Sequence, residues 1–365
     1  MKNHRRLKDL FCEETNSIKS AWRIMDKAGK KMILVMNKKK LVGVVTDGDI
    51  RRELLDGKTL DEKIVRIMNK NPKVHNLHLN KIDESSMHEV KKVLINQRLE
   101  GVPVLNKDKE VVDCIFWDDC FKDSIFQEKH SKLCPAVIMA GGKGTRMAPY
   151  TDIIPKPLIP INRKPMIKHI MNKLYTYGCD QFFVSLNYKA DLIRSFFQTD
   201  TFNKNSIFFQ ENKPLGTAGS LNLITNKLSD TFIVTNCDIF TDFNIKELVD
   251  FHESENNLIT SVSSLKHFKI PYGVVDIKKS GIVKKISEKP EIDLLVNIGF
   301  YVLNKKVLDF IPKDQYFDMT SLIERVILEK NSVKSFPISE NSWTDLGQID
   351  EYNEYVKRIN AKDVK

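Results

Sequence analysis

The sequence lacks any uninterrupted apolar run close to the roughly 20 residues that a membrane-spanning helix needs. Its basic start is not followed by the apolar segment of a secretory signal. Its six cysteines show no C-x-x-C spacing, which argues against a disulfide scaffold and a zinc site and favours reduced thiols. We therefore expect a cytoplasmic protein with no membrane partner.

The charge is basic but dispersed. The 365 residues contain 58 Lys and Arg against 48 Asp and Glu, a formal charge of +10. Basic chains often bind nucleic acid, but here the longest lysine run is only Lys38 to Lys40, and aromatic residues are not interleaved with the lysines. We expect no nucleic-acid partner; a solvated lysine-rich surface, or a pocket for several phosphates, accounts for the charge.

The first third of the chain contains an internal repeat. Residues 31–49 and 100–119 share the order of a short apolar run, an Asn-Lys turn, a second apolar run and an acidic pair. This pattern predicts two strand–turn–strand units. Helices are predicted before them, over 18–27 and 87–98, and after the first, over 50–55.

The stretch Gly-Val-Val-Thr46-Asp-Gly-Asp49-Ile-Arg resembles the ligand-binding stretch of CBS (cystathionine-β-synthase) repeats. The duplication resembles the tandem pair called a Bateman module, an α+β unit. This implies a regulatory adenine-nucleotide site in which Thr46 and Asp49 hold phosphate and ribose at a helix N-terminus. In the second copy, Phe116 and Trp117 stand where the first copy has Thr46 and the adjacent Asp47, which argues against a second nucleotide site. A module that only packs or dimerises is the alternative; because paired CBS repeats often associate, we expect a homo-oligomer.

From residue 135 onward, apolar runs alternate with helical patterns, which predicts a mostly parallel α/β sheet with ligands at the carboxyl ends of its strands. The predicted strand 136–140 leads into a glycine-rich loop at residues 141–147, and the segment Pro-Lys156-Pro-Leu follows. Glycines allow backbone amides to approach a triphosphate. Arg146 offers a planar fork of donors to phosphate oxygens, and Lys156 a point charge. The loop is neither a Walker A motif nor G-x-G-x-x-G.

Together these two motifs resemble the signature of nucleotide-sugar pyrophosphorylases, the sugar-1-phosphate nucleotidyltransferases. Further motifs follow in the family's order, at 214–220, 236–238, 288–290, 297–300 and 343–347. The resemblance implies a Rossmann-like, mostly parallel sheet and the transfer of a nucleotidyl group to a sugar 1-phosphate with release of pyrophosphate. The predicted organisation is a tandem CBS pair at 1–125, a linker at 126–132 and a nucleotidyltransferase domain at 133–365.

The resemblance also implies roles for individual residues. The residues implied in catalysis are Arg146, Lys156, Asp238 and Asp345, of which the two aspartates would hold Mg²⁺. Those implied in nucleotide binding are Ala140, Gly141, Gly142, Gly144, Thr145, Glu211, Gly216 and Thr217. Those implied in sugar-phosphate binding are Gly273, Glu288, Lys289, Asn297 and Gly299.

The base and the sugar are less well determined by the residues. Either Gln210 or Glu211 could face the base: a carboxylate matches the two donors of guanine, and an amide matches uracil or thymine. Glu211 falls where the family's guanylyltransferases carry Glu, so we expect GTP as the nucleotide. A CBS pair before this domain resembles the glucosamine-1-phosphate guanylyltransferases of legionaminic acid biosynthesis, which implies α-D-glucosamine 1-phosphate as partner substrate and GDP-glucosamine as product. A mannose-1-phosphate guanylyltransferase, a glucose-1-phosphate thymidylyl- or uridylyltransferase, and an inactive regulatory homologue are the alternatives.

Overall fold

The computed structural model describes residues 7–77, 82, 84–97, 99–120 and 132–363. Residues up to 120, with 265–294 and 337–341, form a first compact unit; residues 132–264, 295–336 and 342–363 form a second. Apart from Lys132, the predicted linker lies outside the described residues, and the predicted domain boundaries stay a prediction. Within the described ranges, no helix combines the length and the apolar character needed to cross a lipid bilayer.

The first unit contains two three-stranded sheets of the same topology. In one, β1 (Phe11–Glu13) pairs parallel with β2 (Met32–Asn37), which pairs antiparallel with β3 (Lys40–Thr46). In the other, β4 (His75–Asn76), β5 (Gly101–Leu105) and β6 (Val111–Phe116) repeat these pairings. The antiparallel register even shifts at corresponding places, after Val35 and after Val104. The predicted internal repeat is therefore confirmed.

The helices of this part are α1 (Ile18–Ala28), α2 (Asp47–Leu55), α3 (Glu84–Gln97) and α4 (Trp117–Cys120). Helix α1 has the predicted bounds to within a residue, because Ser17 caps its start and Gly29, with φ 62°, ends it. Helix α2 begins earlier than predicted, since Thr46 caps it and Asp49 completes a capping box.

The remaining strands, in chain order, are β7 (Ala136–Met139), β8 (Pro160–Ile161), β9 (Lys164–Pro165), β10 (Phe182–Leu186), β11 (Ser206–Gln210), β12 (Thr231–Asn236), β13 (Ile239–Thr241), β14 (Ile259–Lys269), β15 (Val274–Ile277), β16 (Val283–Ser287), β17 (Glu291–Asn304), β18 (Val333–Ile338) and β19 (Trp343–Asp345). The remaining helices are α5 (Tyr150–Ile153), α6 (Met166–Thr176), α7 (Ala190–Gln198), α8 (Gly216–Gly219), α9 (Ile245–Ser254), α10 (Met319–Leu328) and α11 (Ile349–Asp363).

The central sheet of the described residues has seven strands in the order β11-β10-β7-β12-β17-β14-β18. Strands β11, β10, β7 and β12 run parallel, and β17 is antiparallel to β12. The predicted mostly parallel α/β sheet is therefore confirmed. Because β7, β10 and β12 are parallel, their carboxyl ends meet at one edge, where ligands bind in such sheets. Helix α6 buries one apolar face, which consists of Met166, Ile167, Ile170, Met171 and Leu174.

One carboxylate of the first unit lies in an unusual environment. Oδ2 of Asp26 on α1 is 3.1 Å from Nε2 of His267 on β14. Burial raises the pKa of Asp26 to about 7; the charges of Glu340 and Asp47 act in the same direction, and backbone hydrogen bonds from Asn341 and Glu340 oppose them. Burial, with the positive charges of nearby Arg23 and Lys19, lowers the pKa of His267, and the charge of Glu291 opposes this. A hydrogen bond donated by the protonated carboxyl group of Asp26 to a neutral His267 imidazole agrees with the directions of both pKa shifts.

We predict that stability depends on pH through Asp26. Its folded pKa of about 7 exceeds the ordinary value of 3.8, so its contribution is full below about pH 4 and lost as the pH rises to about 7. The Asp26→Asn variant cannot ionise, so its melting temperature should gain on the wild type between about pH 4 and about pH 7. The exposed Asp276→Asn serves as control in the same thermal unfolding series. A difference between Asp26→Asn and wild type that stays constant with pH would contradict the assignment.

Candidate functional site

The glycine-rich loop leaves the carboxyl end of β7 and enters a 3₁₀ turn over Thr145–Met147. Gly144 has φ 67°, and a Cβ there would lie 2.9 Å from Cγ2 of Thr151 and 3.1 Å from Cβ of Lys156. Glycine is therefore required both for the conformation and for the space. Thr145 and Arg146 are exposed, so the loop presents their side chains to a ligand.

A charged cluster lies beside this loop in the second unit. Lys156 forms a largely buried ion pair with Asp238, which lies two residues after the end of β12. The antiparallel pairing of β13 with β19 sets Asp345 opposite Ile239, the residue after Asp238. Strand pairing thus brings together two aspartates that are far apart in the sequence.

Gly347 shows how closely the charged side chains converge. A Cβ on Gly347 would lie 2.5 Å from Oδ2 of Asp238, 2.7 Å from Oδ1 of Asp345 and 2.9 Å from Nζ of Lys156. Its own N–H donates to Oδ1 of Asp345 over 2.7 Å. Three of the four predicted catalytic side chains therefore surround one glycine. Gly347 itself was not predicted as a site residue, although it lies within the predicted motif at 343–347.

The electrostatics of the cluster suit a divalent cation. Burial raises the pKa of Asp345, and the charge of Asp238 raises it further; the N–H of Gly347 and the charges of Lys156 and Arg146 act in the opposite direction. Among the described residues, no three or more His, Cys, Asp and Glu side chains form a metal-binding group. Mg²⁺, however, is commonly held by one or two carboxylates with phosphates and waters. Asp238 and Asp345 fit that donor set.

Glu211 follows β11 and lies against the glycine-rich loop. Oγ of Ser185 donates to Oε1 of Glu211 over 2.6 Å, and the N–H of Leu215 donates to Oε2 over 2.9 Å. A Cβ on Gly141 would lie 3.3 Å from Oε1 of Glu211. Gln210, at the end of β11, is exposed. Of the two candidate base-reading residues, Glu211 is the one held in place beside the loop.

We call residues 214–220, one of the predicted motifs, the second loop; it is braced by the start of α10. Gly216 has φ 78°, and a Cβ there would lie 2.6 Å from the carbonyl oxygen of Phe317. The N–H of Gly219 donates to the same oxygen over 2.9 Å. Oγ1 of Thr217 accepts from the N–H of Met319 over 2.9 Å. These contacts fix the backbone of the loop against α10.

A cavity of about 170 Å³ opens between this loop and the strand ends. Its lining residues are Met139, Thr217, Val234, Asn236, Tyr301, Asp318, Met319 and Thr320. Asp318 is the charged side chain among them. Neither Asn236 nor Asp318 was predicted as a site residue, because their approach to Thr217 depends on long-range packing.

Two predicted sugar-binding residues lie next to this cavity. Gly299 on β17 has φ 78°, and a Cβ there would lie 2.5 Å from Nδ2 of Asn236. Oδ1 of Asn297 accepts from the N–H of Gly299 over 3.0 Å, and Nδ2 of Asn297 donates to the Tyr301 hydroxyl over 2.8 Å. Burial raises the pKa of Tyr301, which keeps the hydroxyl protonated. Asn297 and Gly299 therefore support the wall formed by Asn236 and Tyr301.

The other predicted sugar-binding residues belong to the first unit. A Cβ on Gly273 would lie 3.1 Å from Oε2 of Glu288, and Nζ of Lys289 is 4.0 Å from Oε1 of Glu288. All three residues are largely exposed. They lie close together at the base of the hairpin β15–β16, where its first strand begins and its second strand ends.

The predicted regulatory residues are engaged with each other. Oγ1 of Thr46 donates to Oδ2 of Asp49 over 2.7 Å, and the N–H of Asp49 donates to Oγ1 of Thr46 over 3.2 Å. Arg52 also pairs with Asp49. A nucleotide at this position would compete with the cap of α2, and the assignment of Thr46 and Asp49 to a ligand stays a prediction.

Two family models match the chain. A model described as nucleotidyl transferase matches residues 135–362, and a model described as CBS domain matches residues 7–56. The two resemblances inferred from the sequence are thereby confirmed at the level of the family. The CBS match covers the first of the two internal repeats.

Individual relatives match the C-terminal part. The chain is 33% identical over 224 residues to a mannose-1-phosphate guanyltransferase of Kluyveromyces lactis, which covers 58% of this chain and 61% of the relative. It is 28% identical over 249 residues to a UTP–glucose-1-phosphate uridylyltransferase of Synechocystis, with 63% and 64% covered. The solved structure of HddC from Yersinia pseudotuberculosis is 29% identical, with a TM-score of 0.49, and matches over 62% of this chain and 100% of that chain. The chain thus spans under two thirds of the length of these two curated relatives.

We predict that Gly347→Ala weakens binding of a divalent cation. The added Cβ would lie at most 2.9 Å from Asp238, Asp345 and Lys156, so these side chains must move apart. With Mn²⁺ as the probe, electron paramagnetic resonance in the presence of a nucleoside triphosphate should show at least about tenfold lower affinity. Arg163→Ala, at an exposed arginine in the β8–β9 turn, is the control. Equal Mn²⁺ affinity in Gly347→Ala and wild type would contradict the assigned cation site.

Proposed function

The chain belongs to the nucleotidyl transferase family, and on that premise we propose that it is a sugar-1-phosphate guanylyltransferase. In the proposed reaction, a phosphate oxygen of the sugar 1-phosphate attacks the α-phosphorus of GTP, the bond from that phosphorus to the β-phosphate bridge oxygen breaks, and pyrophosphate leaves. The observation that carries the proposal is the convergence of Lys156, Asp238 and Asp345 around Gly347, beside a loop that requires glycine at position 144.

The residues of the cluster would act by charge and position. Both reactants are anions, so their repulsion must be offset before they can meet. Arg146 and the loop N–H groups would hold the triphosphate and stabilise the leaving pyrophosphate. Lys156, held by Asp238, would neutralise the α-phosphate. Mg²⁺ held by Asp238 and Asp345 would supply further charge neutralisation.

The attacking oxygen needs no general base, because a phosphate monoester is already ionised at neutral pH. Lys289 would bind the phosphate group of the sugar 1-phosphate, and Glu288 would accept hydrogen bonds from the hydroxyl groups of the sugar. The rate enhancement then comes from alignment and from electrostatic stabilisation, as in other phosphoryl transfers.

Glu211 supports GTP as the nucleotide. Its carboxylate is held beside Gly141 by Ser185 and by the N–H of Leu215. Two acceptor oxygens fixed in one plane match the N1–H and 2-amino group of guanine. The relative from Kluyveromyces lactis is named as a guanyltransferase, which is in line with this choice.

Asp318 supports an amino sugar as the partner substrate. It is the charged side chain of a cavity whose other walls include Met139, Val234 and Met319. A carboxylate among apolar walls pairs more strongly with a protonated amine than with a neutral hydroxyl. We therefore propose α-D-glucosamine 1-phosphate as substrate and GDP-glucosamine as product, for the biosynthesis of legionaminic acid. Mannose 1-phosphate is the second candidate, favoured by the name of the relative from Kluyveromyces lactis.

The remaining parts of the proposal concern the first unit and the setting of the enzyme. The CBS match supports an adenine nucleotide at Thr46 and Asp49 as a regulatory ligand. Association of copies through the CBS repeats and a cytoplasmic location complete the proposal.

The test of the proposed function is pyrophosphate release, measured with four nucleoside triphosphates and a panel of sugar 1-phosphates. We expect the highest kcat/KM for GTP with glucosamine 1-phosphate. Arg146→Ala should lower kcat by about 10² to 10³, because it removes charge stabilisation of the leaving group. Arg163→Ala, an exposed arginine in the β8–β9 turn, is the control and should retain wild-type turnover. Absence of pyrophosphate release with every pair would refute the function, and full activity of Arg146→Ala would refute the site.

We further predict that Glu211→Gln changes the choice of base. The amide replaces one acceptor by a donor, so kcat/KM for GTP should fall about tenfold to a hundredfold relative to UTP. Gln210→Glu is the matched control. Because Gln210 is exposed, this variant should leave the preference for GTP unchanged. An unchanged ratio of GTP to UTP in Glu211→Gln would show that another residue selects the base.

A further inference from the structure

Helix α1 carries a polar stripe that the proposed reaction does not use. Lys19, Arg23 and Asp26 recur at helical spacing and so lie on one face of the helix. The adjacent stripe, with Trp22 and Met25, is fully buried. The polar stripe contacts a segment of the first unit, residues 265–294, which we call the arm. The apolar stripe packs in a cluster of the first unit that includes Leu265 of the arm.

The centre of this contact is Asp293 at the start of β17. Nη2 of Arg23 donates to both carboxylate oxygens of Asp293 over 2.8 Å, and Nε donates to Oδ1 over 3.2 Å. Nζ of Lys19 is 2.7 Å from Oδ2. The Asp293 side chain is only 2% exposed, so water screens the pair little. A planar fork on a buried carboxylate fixes orientation as well as distance.

The other strand of the arm is anchored to the same helix. Nδ1 of His267 on β14 is 2.6 Å from Oδ1 of Asp293, and Nε2 is 3.1 Å from Oδ2 of Asp26. Leu265 is 1% exposed and packs in one apolar cluster with Trp22 and Met25. Both strands at the base of the arm are therefore held by α1.

Beyond this base, the arm ends in a hairpin with little support of its own. Strands β15 and β16 form a separate two-stranded sheet. Large apolar side chains of this hairpin are exposed, among them Tyr272, Ile277 and Ile286. An isolated two-stranded hairpin is marginally stable in water. Its orientation must therefore depend on how its base is held.

We propose that Asp293 is a positioning residue through which α1 sets the orientation of the arm, and with it the affinity for the sugar 1-phosphate. The arm carries Glu288 and Lys289, whose role in binding this substrate rests on the proposed function. Helix α1 shares an apolar cluster with Ile50 of α2, the helix capped by Thr46 and Asp49.

Steady-state kinetics of arginine variants test this coupling. Arg23→Ala should raise KM for the sugar 1-phosphate about tenfold, with KM for GTP and kcat changed less than about twofold. Arg23→Lys keeps the charge without the fork and should give an intermediate KM. Arg66→Ala, which breaks an exposed pair with Glu62, is the matched control and should match wild type. An unchanged KM for the sugar 1-phosphate, or an equal rise for GTP, would overturn the proposal.

Hydrogen–deuterium exchange provides a readout that does not require activity. Amides of Val274–Ile277 and Val283–Ser287 should exchange faster in Arg23→Ala and Arg23→Lys than in Arg66→Ala or wild type. Exchange of β2 should be unchanged, which shows that the variants remain folded; if Arg23→Ala fails this check, Arg23→Lys decides. Unchanged hairpin exchange would overturn the positioning role even if catalysis is confirmed. A wild type that releases no pyrophosphate would refute the proposed function, while the exchange result would still decide whether α1 holds the arm.

Discussion

Two carboxylates and one ammonium group share the space around Gly347, and the rest of the second unit serves to bring them there. Asp238 follows a central strand, Asp345 ends an antiparallel edge pair, and Lys156 comes from the turn after the glycine-rich loop. Burial, and after it the charge of Asp238, raises the pKa of Asp345. Burying a carboxylate lowers the stability of a folded protein unless a cation or hydrogen bonds compensate for the lost hydration. Nucleotidyl transfer assisted by a divalent cation is the proposed use of all three side chains.

Much of this architecture was predictable because its signals are local. Ser17 and Gly29 mark the ends of α1, and the apolar spacing of Met166 to Leu174 marks the buried face of α6. The T-x-x-D pattern of Thr46 and Asp49 is also a local capping signal, and reading it as such would have given the correct start of α2. The family resemblance supplied the candidate catalytic residues in the second unit.

The unpredicted features depend on contacts between distant parts of the chain. Gly347 owes its role to the register of β13 and β19, and Asp318 reaches the cavity because the start of α10 packs on the second loop. The pairing of Arg23 with Asp293 joins the first helix to a strand near the far end of the sequence. No periodicity or motif in a single sequence reports such a pairing. In the structure, residues 265–294 belong to the same compact unit as the N-terminal residues.

The most direct test of the central claim is a crystal structure with a non-hydrolysable GTP analogue and Mn²⁺, in which anomalous scattering locates the ion. We expect an anomalous peak in contact with carboxylate oxygens of both Asp238 and Asp345, with the triphosphate along the loop that contains Arg146. A triphosphate bound away from that loop, or an ion that touches neither aspartate, would contradict it.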